Sequence, residues 1–157
     1  MAGRQRLWAP WRNSYLKQLT TTRCIFCAAN SSRADRAHHV IDRGGHVFAL
    51  LNRYPYNNGH VMIAPYRHIG TLTSLRGEEW MELLRMSQRV IGRLRRRLHP
   101  HGFNIGMNLG RVAGAGIPGH LHLHLVPRWK GDTNFMPVLA GTKVISQSLD
   151  ELYQLLR

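Results

Sequence analysis

Acidic side chains are scarce in this chain of 157 residues: eight Asp and Glu stand against twenty-two Lys and Arg, a formal charge of +14 at pH 7. Lysine is scarce too, so nearly all of that positive charge is guanidinium. The balance suits polyanionic ligands through long-range attraction and bidentate contacts to phosphate, but a solvated basic surface fits it equally well. No apolar run approaches the length of a membrane span. The segment Met1 to Trp11, with Arg4 and Arg6 around Leu7 and Trp8, lacks the continuous apolar core of a signal peptide. These absences set aside a membrane-embedded protein and lead us to expect a cytoplasmic one. There is no internal repeat, and length and composition (43% apolar, 19% charged) match one ordinary domain spanning 1–157.

Cysteine occurs only twice, as Cys24 and Cys27. A C-x-x-C pair in a cytosolic setting points to metal binding or redox chemistry before a structural disulfide. A thioredoxin-like role needs the pair at the end of a strand and opening a helix. The flanks Thr20 to Arg23 and Ala28 to Ser32 do not show that pattern, and ten histidines are present to complete a Cys₂His₂ set, so zinc is the better expectation.

Residues 1–23 read as an irregular aromatic and basic arm, with Trp8, Pro10, Trp11 and Tyr15, that packs across its own domain or serves as a partner surface. Ala28 to Gly45 is polar, and Gly44-Gly45 closes it as a turn. A strand is expected over His46 to Leu51 and another over His60 to Ala64, joined through Asn52 to Gly59 as a hairpin. From Leu75 to Leu98 the residues Trp80, Leu83, Leu84, Val90, Ile91, Leu94 and Leu98 recur at helical spacing, and Pro100 ends the helix. The run Arg93 to Arg97 suits the helix C-terminus. A strand over Phe103 to Leu109, a glycine-rich loop over Gly110 to Gly119 and a short helix over Ser146 to Leu156 follow. Tight turns between neighbouring strands predict an α+β fold, an antiparallel sheet with one long helix packed on it and a short C-terminal helix.

His120-Leu121-His122-Leu123-His124 alternates with the period of a strand, which places three imidazoles on one face and Leu121, Leu123 and Leu125 on the other. Such a row is either a metal site or a site for proton transfer and attack on phosphorus. The loop directly before it, with Asn108, Gly110, Gly114, Gly116 and Gly119, lets backbone N–H groups approach an anion. Its spacing matches neither the Walker nor the dinucleotide fingerprint.

His-x-His-x-His followed by two apolar residues and Pro127-Arg128 resembles the signature of the histidine-triad family. Leu51 to His60, Pro65-Tyr66-Arg67-His68, Arg128 to Phe135 and the arm Leu7-Trp8-Ala9-Pro10-Trp11-Arg12 resemble its bacterial branch that contains diadenosine tetraphosphate phosphorylases. The likeness covers most of the chain. It implies a histidine-triad fold and a nucleotidyl transferase or hydrolase that cleaves a phosphoanhydride beside a nucleoside monophosphate, first by phosphorolysis of diadenosine tetraphosphate to ADP and ATP, with hydrolysis or phosphoramidate cleavage of AMP derivatives by the same covalent route as the alternative. His122, the middle histidine, is then the nucleophile, and His124 stabilises developing charge. Backbone donors from Gly114, Gly116 and Gly119 hold the α-phosphate, Asn108 reaches the phosphates, Asn52 contacts the ribose, and Leu50 with Phe48 lines the base pocket. The resemblance further implies a structural zinc on Cys24, Cys27, His68 and His120, with inorganic phosphate as acceptor and a homodimer. One departure is plain: many relatives carry Ser or Thr three residues before the triad, whereas Gly116-Ile117 stands here, leaving backbone donors alone.

A reading of another class is a basic, zinc-containing nucleic-acid-binding module. The charge supports it, but aromatic residues are not interleaved with the basic ones as a stacking surface needs.

Overall fold

A computed structural model describes residues 24–32, 34–134 and 144–157. The expected arm over 1–23 and the last motif residue, Phe135, lie outside them. The described chain runs α1 (Ile25–Ser32), α2 (Asp35–His38), β1 (Val40–Arg43), β2 (Val47–Leu51), β3 (Val61–Pro65), α3 (Gly77–Leu98), β4 (Gly102–Met107), β5 (Leu123–Arg128) and α4 (Leu149–Leu156). The strands form one antiparallel sheet in the order β1-β2-β3-β5-β4. This is the expected α+β architecture. Among the described residues no helix is long and apolar enough to cross a membrane.

Every residue of β2 and β3 is buried, because both faces of the sheet are covered. On one face Val47, Ala49, Leu51, Val61, Ile63, Leu123 and Leu125 pack against Leu83, Met86, Val90 and Leu94 of α3 and against Leu152 and Leu156 of α4. On the other, Phe48, Leu50, Met62 and Ala64 meet Phe26 and Ala29 of α1. Period-two alternation thus sorts each strand between two cores.

Several boundaries and elements differ from the sequence reading. The polar stretch 28–45 holds most of α1, all of α2 and the short edge strand β1, whose apolar part is only Val40 and Ile41, too brief for a periodic signal. The histidine strand begins at Leu123, three residues later than expected; His120, in a bend, and His122 precede the ladder. Trp80 and Leu84, expected on the buried face of α3, are exposed, and Met86 is buried in the stripe instead. The final helix starts after Ser148, whose hydroxyl accepts from Glu151 N–H while Glu151 reaches back to Ser148 N–H.

Two carboxylates of α3 fix the loops that flank the sheet. Glu82 accepts the backbone N–H groups of Gly45 (2.7 Å) and His46 (2.5 Å), so it holds the β1–β2 turn against the helix. Glu79, buried, accepts from Arg67 Nε at 2.6 Å and Nη2 at 2.7 Å, and from Arg76 N–H at its own helix N-terminus. The guanidinium of Arg67 holds the Glu79 carboxyl down at about 2. A carboxyl held lower in the folded chain than in the unfolded one, where its ordinary value is 4.5, adds stability that is complete above that value and fades toward pH 2. Arg67→Met is therefore expected to lower Tm at neutral pH, because it leaves the buried Glu79 carboxylate without its cation. The variant should also flatten the fall of Tm between about pH 4.5 and pH 2. A parental acid slope in the variant would show that Arg67 does not hold the carboxyl.

Candidate active site and metal centre

The chain entering β5 crosses the chain leaving β3 at very short range, with Leu121 N–H donating to Ile69 C=O at 2.6 Å. Glycine permits this approach: a Cβ on Gly70 would lie 2.8 Å from Pro118 O, and one on Gly119 would lie 3.2 Å from the His68 ring. The crossing sets His68 beside His120. Cys24, immediately before α1, and Cys27, in its first turn, approach from the other side. The donor atoms of Cys24, Cys27, His68 and His120 all lie within 4.8 Å of one another.

These separations have a metal-site shape. His120 Nδ1 is 3.3 Å from Cys24 Sγ, 3.7 Å from Cys27 Sγ and 3.3 Å from His68 Nδ1, and Cys27 Sγ is 3.3 Å from His68 Nδ1. A tetrahedral zinc, with bonds of about 2.0 Å to nitrogen and about 2.3 Å to sulfur, needs donor atoms roughly 3.3 to 3.8 Å apart. The backbone also selects the donor nitrogen of His120. Its Nε2 lies 2.9 Å from Pro65 C=O, and a carbonyl only accepts, so Nε2 carries the proton and Nδ1 keeps its lone pair toward the cysteines. Burial, and then Cys24 alongside, push the Cys27 thiol up, a penalty on paired thiolates that a bound cation would remove. The donor set fits zinc, in a closed site with a structural role rather than an open position for water.

On the same face, His122 and His124 sit with ring centroids 4.7 Å apart and nearly perpendicular planes. His122 Nδ1 lies 2.8 Å from the carbonyl of His120, so Nδ1 is the protonated atom and Nε2 holds a free lone pair. The opposite tautomer is fixed at His124 by a relay that starts in the β2–β3 turn. Tyr56 N–H donates to His60 Nδ1 at 3.0 Å, with Asn52 Nδ2 3.3 Å from the same atom, so His60 Nδ1 is an acceptor and Nε2 bears the hydrogen. His60 Nε2 then donates to His124 Nδ1 at 2.9 Å. That leaves His124 Nε2–H as a buried donor with no partner among the described residues. The site therefore presents one imidazole lone pair and, beside it, one imidazole N–H.

Burial keeps these rings neutral. It pushes His60 down to about 3, helped by repulsion from His124 and His122, and His124 down to about 4, helped by His122. It lowers His122 too, against the opposing pull of the His120 carbonyl. His120 falls to about 4 by burial, although its bond to Pro65 acts in the other direction and His68 and His122 add repulsion. Phe26, between the two cysteines, lies 4.9 Å from the His120 ring and 4.8 Å from the His122 ring, so one aromatic side chain packs against a candidate metal ligand and its neighbour.

The other candidates fall at varied distances from this centre. Asn52 is buried and spends its side-chain oxygen on Tyr54 N–H, an Asx turn, while its amide reaches His60. Leu50 is in the α1-side core with Phe26 and Met62. Phe48 is fully buried, its ring stacked on Tyr66 at 5.3 Å. Asn108 reaches Gly114 C=O at 3.4 Å, so it braces the glycine loop. Gly114 has φ of +93°, Gly116 is half-buried, and Gly119 lies against His68. The sequence reading missed His60, Tyr56 and Phe26 as site residues. For His60 a signal existed: it shares the strand parity of Met62, which pairs with His124.

Residues 33–131 match the family model described as HIT domain. A relative named AP-4-A phosphorylase from Mycobacterium tuberculosis (strain ATCC 25618 / H37Rv) is 41% identical over 160 residues, covering 97% of this chain and 82% of the relative. An uncharacterised HIT-like protein of Methanocaldococcus jannaschii is 30% identical over 82% of this chain and 95% of its own length. Among solved structures, a zinc-bound histidine triad family protein from Mycobacterium smegmatis superposes with TM-score 0.68 at 30% identity, covering 85% of this chain and 90% of that one. A hypothetical histidine triad nucleotide-binding protein from Sulfolobus tokodaii does so with TM-score 0.65 at 25% identity, covering 85% and 86%. Metal analysis of the purified protein is expected to find about one zinc per chain, as one four-ligand site requires. Cys24→Ser should reduce it at least tenfold and lower Tm; undiminished zinc in the variant would refute the ligand set.

Proposed function

The chain belongs to the HIT domain family and is an enzyme of it, and from that premise we propose that it cleaves diadenosine tetraphosphate by phosphorolysis, giving ADP and ATP. The observation that carries this reading is the pair of opposite tautomers. His122 offers an Nε2 lone pair and His124 an Nε2–H, on one face and in ring contact. A neutral imidazole is a good nucleophile at phosphorus and leaves well again. A neighbouring N–H is what a departing phosphate oxygen requires.

In the proposed sequence His122 Nε2 attacks the α-phosphorus of one AMP half. The N–P bond forms as the P–O bond to the remaining triphosphate chain breaks, and the electron pair leaves with that oxygen, which His124 Nε2–H stabilises. The positive charge on the phosphorylated ring is shared through Nδ1–H with the carbonyl of His120. ATP departs. A phosphate oxygen then attacks the same phosphorus, the N–P bond breaks, and its electron pair returns to His122 as ADP leaves. Backbone N–H groups of the loop containing Gly114, Gly116 and Gly119 are the proposed donors to the α-phosphate. Asn52 is the proposed ribose contact, Leu50 and Phe48 form the wall beneath the base, and Asn108 holds the loop. Zinc, when bound, supplies cross-linking rather than chemistry: Cys24, Cys27, His68 and His120 tie α1 and the β3 exit to the strand that carries His122. The name of the Mycobacterium tuberculosis relative supports the substrate and the phosphate acceptor. The thiols such a zinc site needs suit a cytoplasmic location, and we take 1–157 to act as one domain.

We also propose a homodimer joined through β4. This edge strand leaves Ile105 52% exposed, on the face shared with Phe103 and Met107. Trp80 and Leu84 lie exposed on the helical stripe that continues to Ile91 and Arg95, and Arg95 lies over the Phe103 ring. An open apolar edge of that kind pairs with a second copy by a two-fold axis. Ile105→Lys should shift the sedimentation of the protein from dimer toward monomer.

Incubation with diadenosine tetraphosphate, with and without phosphate, tests the reaction. ADP and ATP in equal amounts, formed only with phosphate, are expected; AMP formed without phosphate would sink phosphorolysis. His122→Ala should lower kcat by at least about 10³-fold. Acid-labile label from substrate should attach to the parent protein and not to that variant.

A further inference from the structure

Tyr56 occupies a place at the site that its backbone role does not explain. Its N–H fixes the His60 tautomer, and any residue but proline supplies that bond. Its side chain does something separate. The ring stacks on His124 with centroids 5.4 Å apart and planes 25° from parallel, and it also lies 4.6 Å from the His60 ring. It remains 41% exposed, while His124 beneath it is 7% exposed and His60 1%. One face of Tyr56 thus backs the relay, and the rest of the ring is open to solvent.

The tautomers say which half of a bound substrate meets that ring. His122 attacks with its lone pair, so the nucleoside monophosphate half is held on the His122 side. His124 carries the proton, so the oxygen that departs with negative charge is on the His124 side. Tyr56 touches His124, and Tyr56 is in contact with His60, not with His122. We propose that Tyr56 is a specificity-determining residue for the leaving group: its exposed ring stacks the base of the departing nucleoside polyphosphate, so that substrates with a second nucleoside are preferred over those that release a bare polyphosphate. Every nucleobase has a π-face, so the contact selects for the presence of a base and only weakly for its identity. The inference rests on the dinucleotide reading above.

Two substrates that differ only in the second nucleoside test it: diadenosine tetraphosphate and adenosine tetraphosphate. Attack at the α-phosphorus expels a triphosphate chain from both, with a nucleoside attached in the first and none in the second. The parent is expected to favour the dinucleoside in kcat/KM. Tyr56→Leu keeps the backbone N–H and should lose about 10-fold on the dinucleoside, the order expected for one base stacked on an aromatic ring, and less than about 3-fold on the mononucleoside. Tyr56→Phe should retain the parental ratio. Equal losses on both substrates in Tyr56→Leu, or a parental preference surviving in it, overturns the proposal, as does loss of the preference in Tyr56→Phe. A parent that turns over neither compound refutes the dinucleotide reading itself, a pattern unlike any of these.

Discussion

The site depends on keeping four imidazoles out of water while a hydrogen bond fixes one nitrogen of each. His60, His120, His122 and His124 are all buried, and burial, joined by repulsion from neighbouring rings at His60, His120 and His124, drives each below its ordinary range, so each is a neutral ring with one N–H and one lone pair. In that state the partner of one nitrogen dictates the role of the other. A carbonyl on Nε2 turns the His120 lone pair toward two cysteines; a carbonyl on Nδ1 leaves the His122 lone pair on Nε2; a donor on Nδ1 makes His124 itself a donor. Three residues at a spacing of two acquire three different chemistries, and no charged residue is needed to separate them.

The scaffold that enforces this is the crossing of the β3 exit over the β5 entrance. Alternation along β5 assigns Leu123 and Leu125 to the α3 core and His124 to the opposite face. His120 and His122 precede the ladder, so their positions come from the crossing, from Phe26 and from the bond between Leu121 and Ile69. The glycines there serve different needs. Gly70 is confined where two backbones meet and Gly119 by the His68 ring, whereas Gly114 adopts a left-handed conformation in the loop that Asn108 braces. Arg67 and Glu79 extend the same framework, since their ion pair anchors the segment that carries His68 to the start of α3.

What could be read before the structure follows from how local each signal is. The β2–β3 hairpin, α3, β4 and α4 announce themselves by apolar period and turn residues over a few positions, and their expected limits differ from the observed ones by at most three residues. Helix α1 and strand β1 did not, because their buried faces amount to Phe26 with Ala29 and Val40 with Ile41. Trp80 and Leu84 misled in the other direction: they fit a helical stripe but stand exposed on the folded chain.

The sequence by itself determined that three histidines would share one face, that two cysteines stood three residues apart as a metal-binding pair, and that an antiparallel sheet would carry one long helix. Alternation, spacing and turn chemistry are local, and they suffice for that much. Only the tertiary structure decided that His60 belongs to the site, that Tyr56 covers His124, and which nitrogen of each imidazole bears its proton. Those outcomes depend on single hydrogen bonds between segments as far apart as positions 60 and 124. No pattern within one segment contains them.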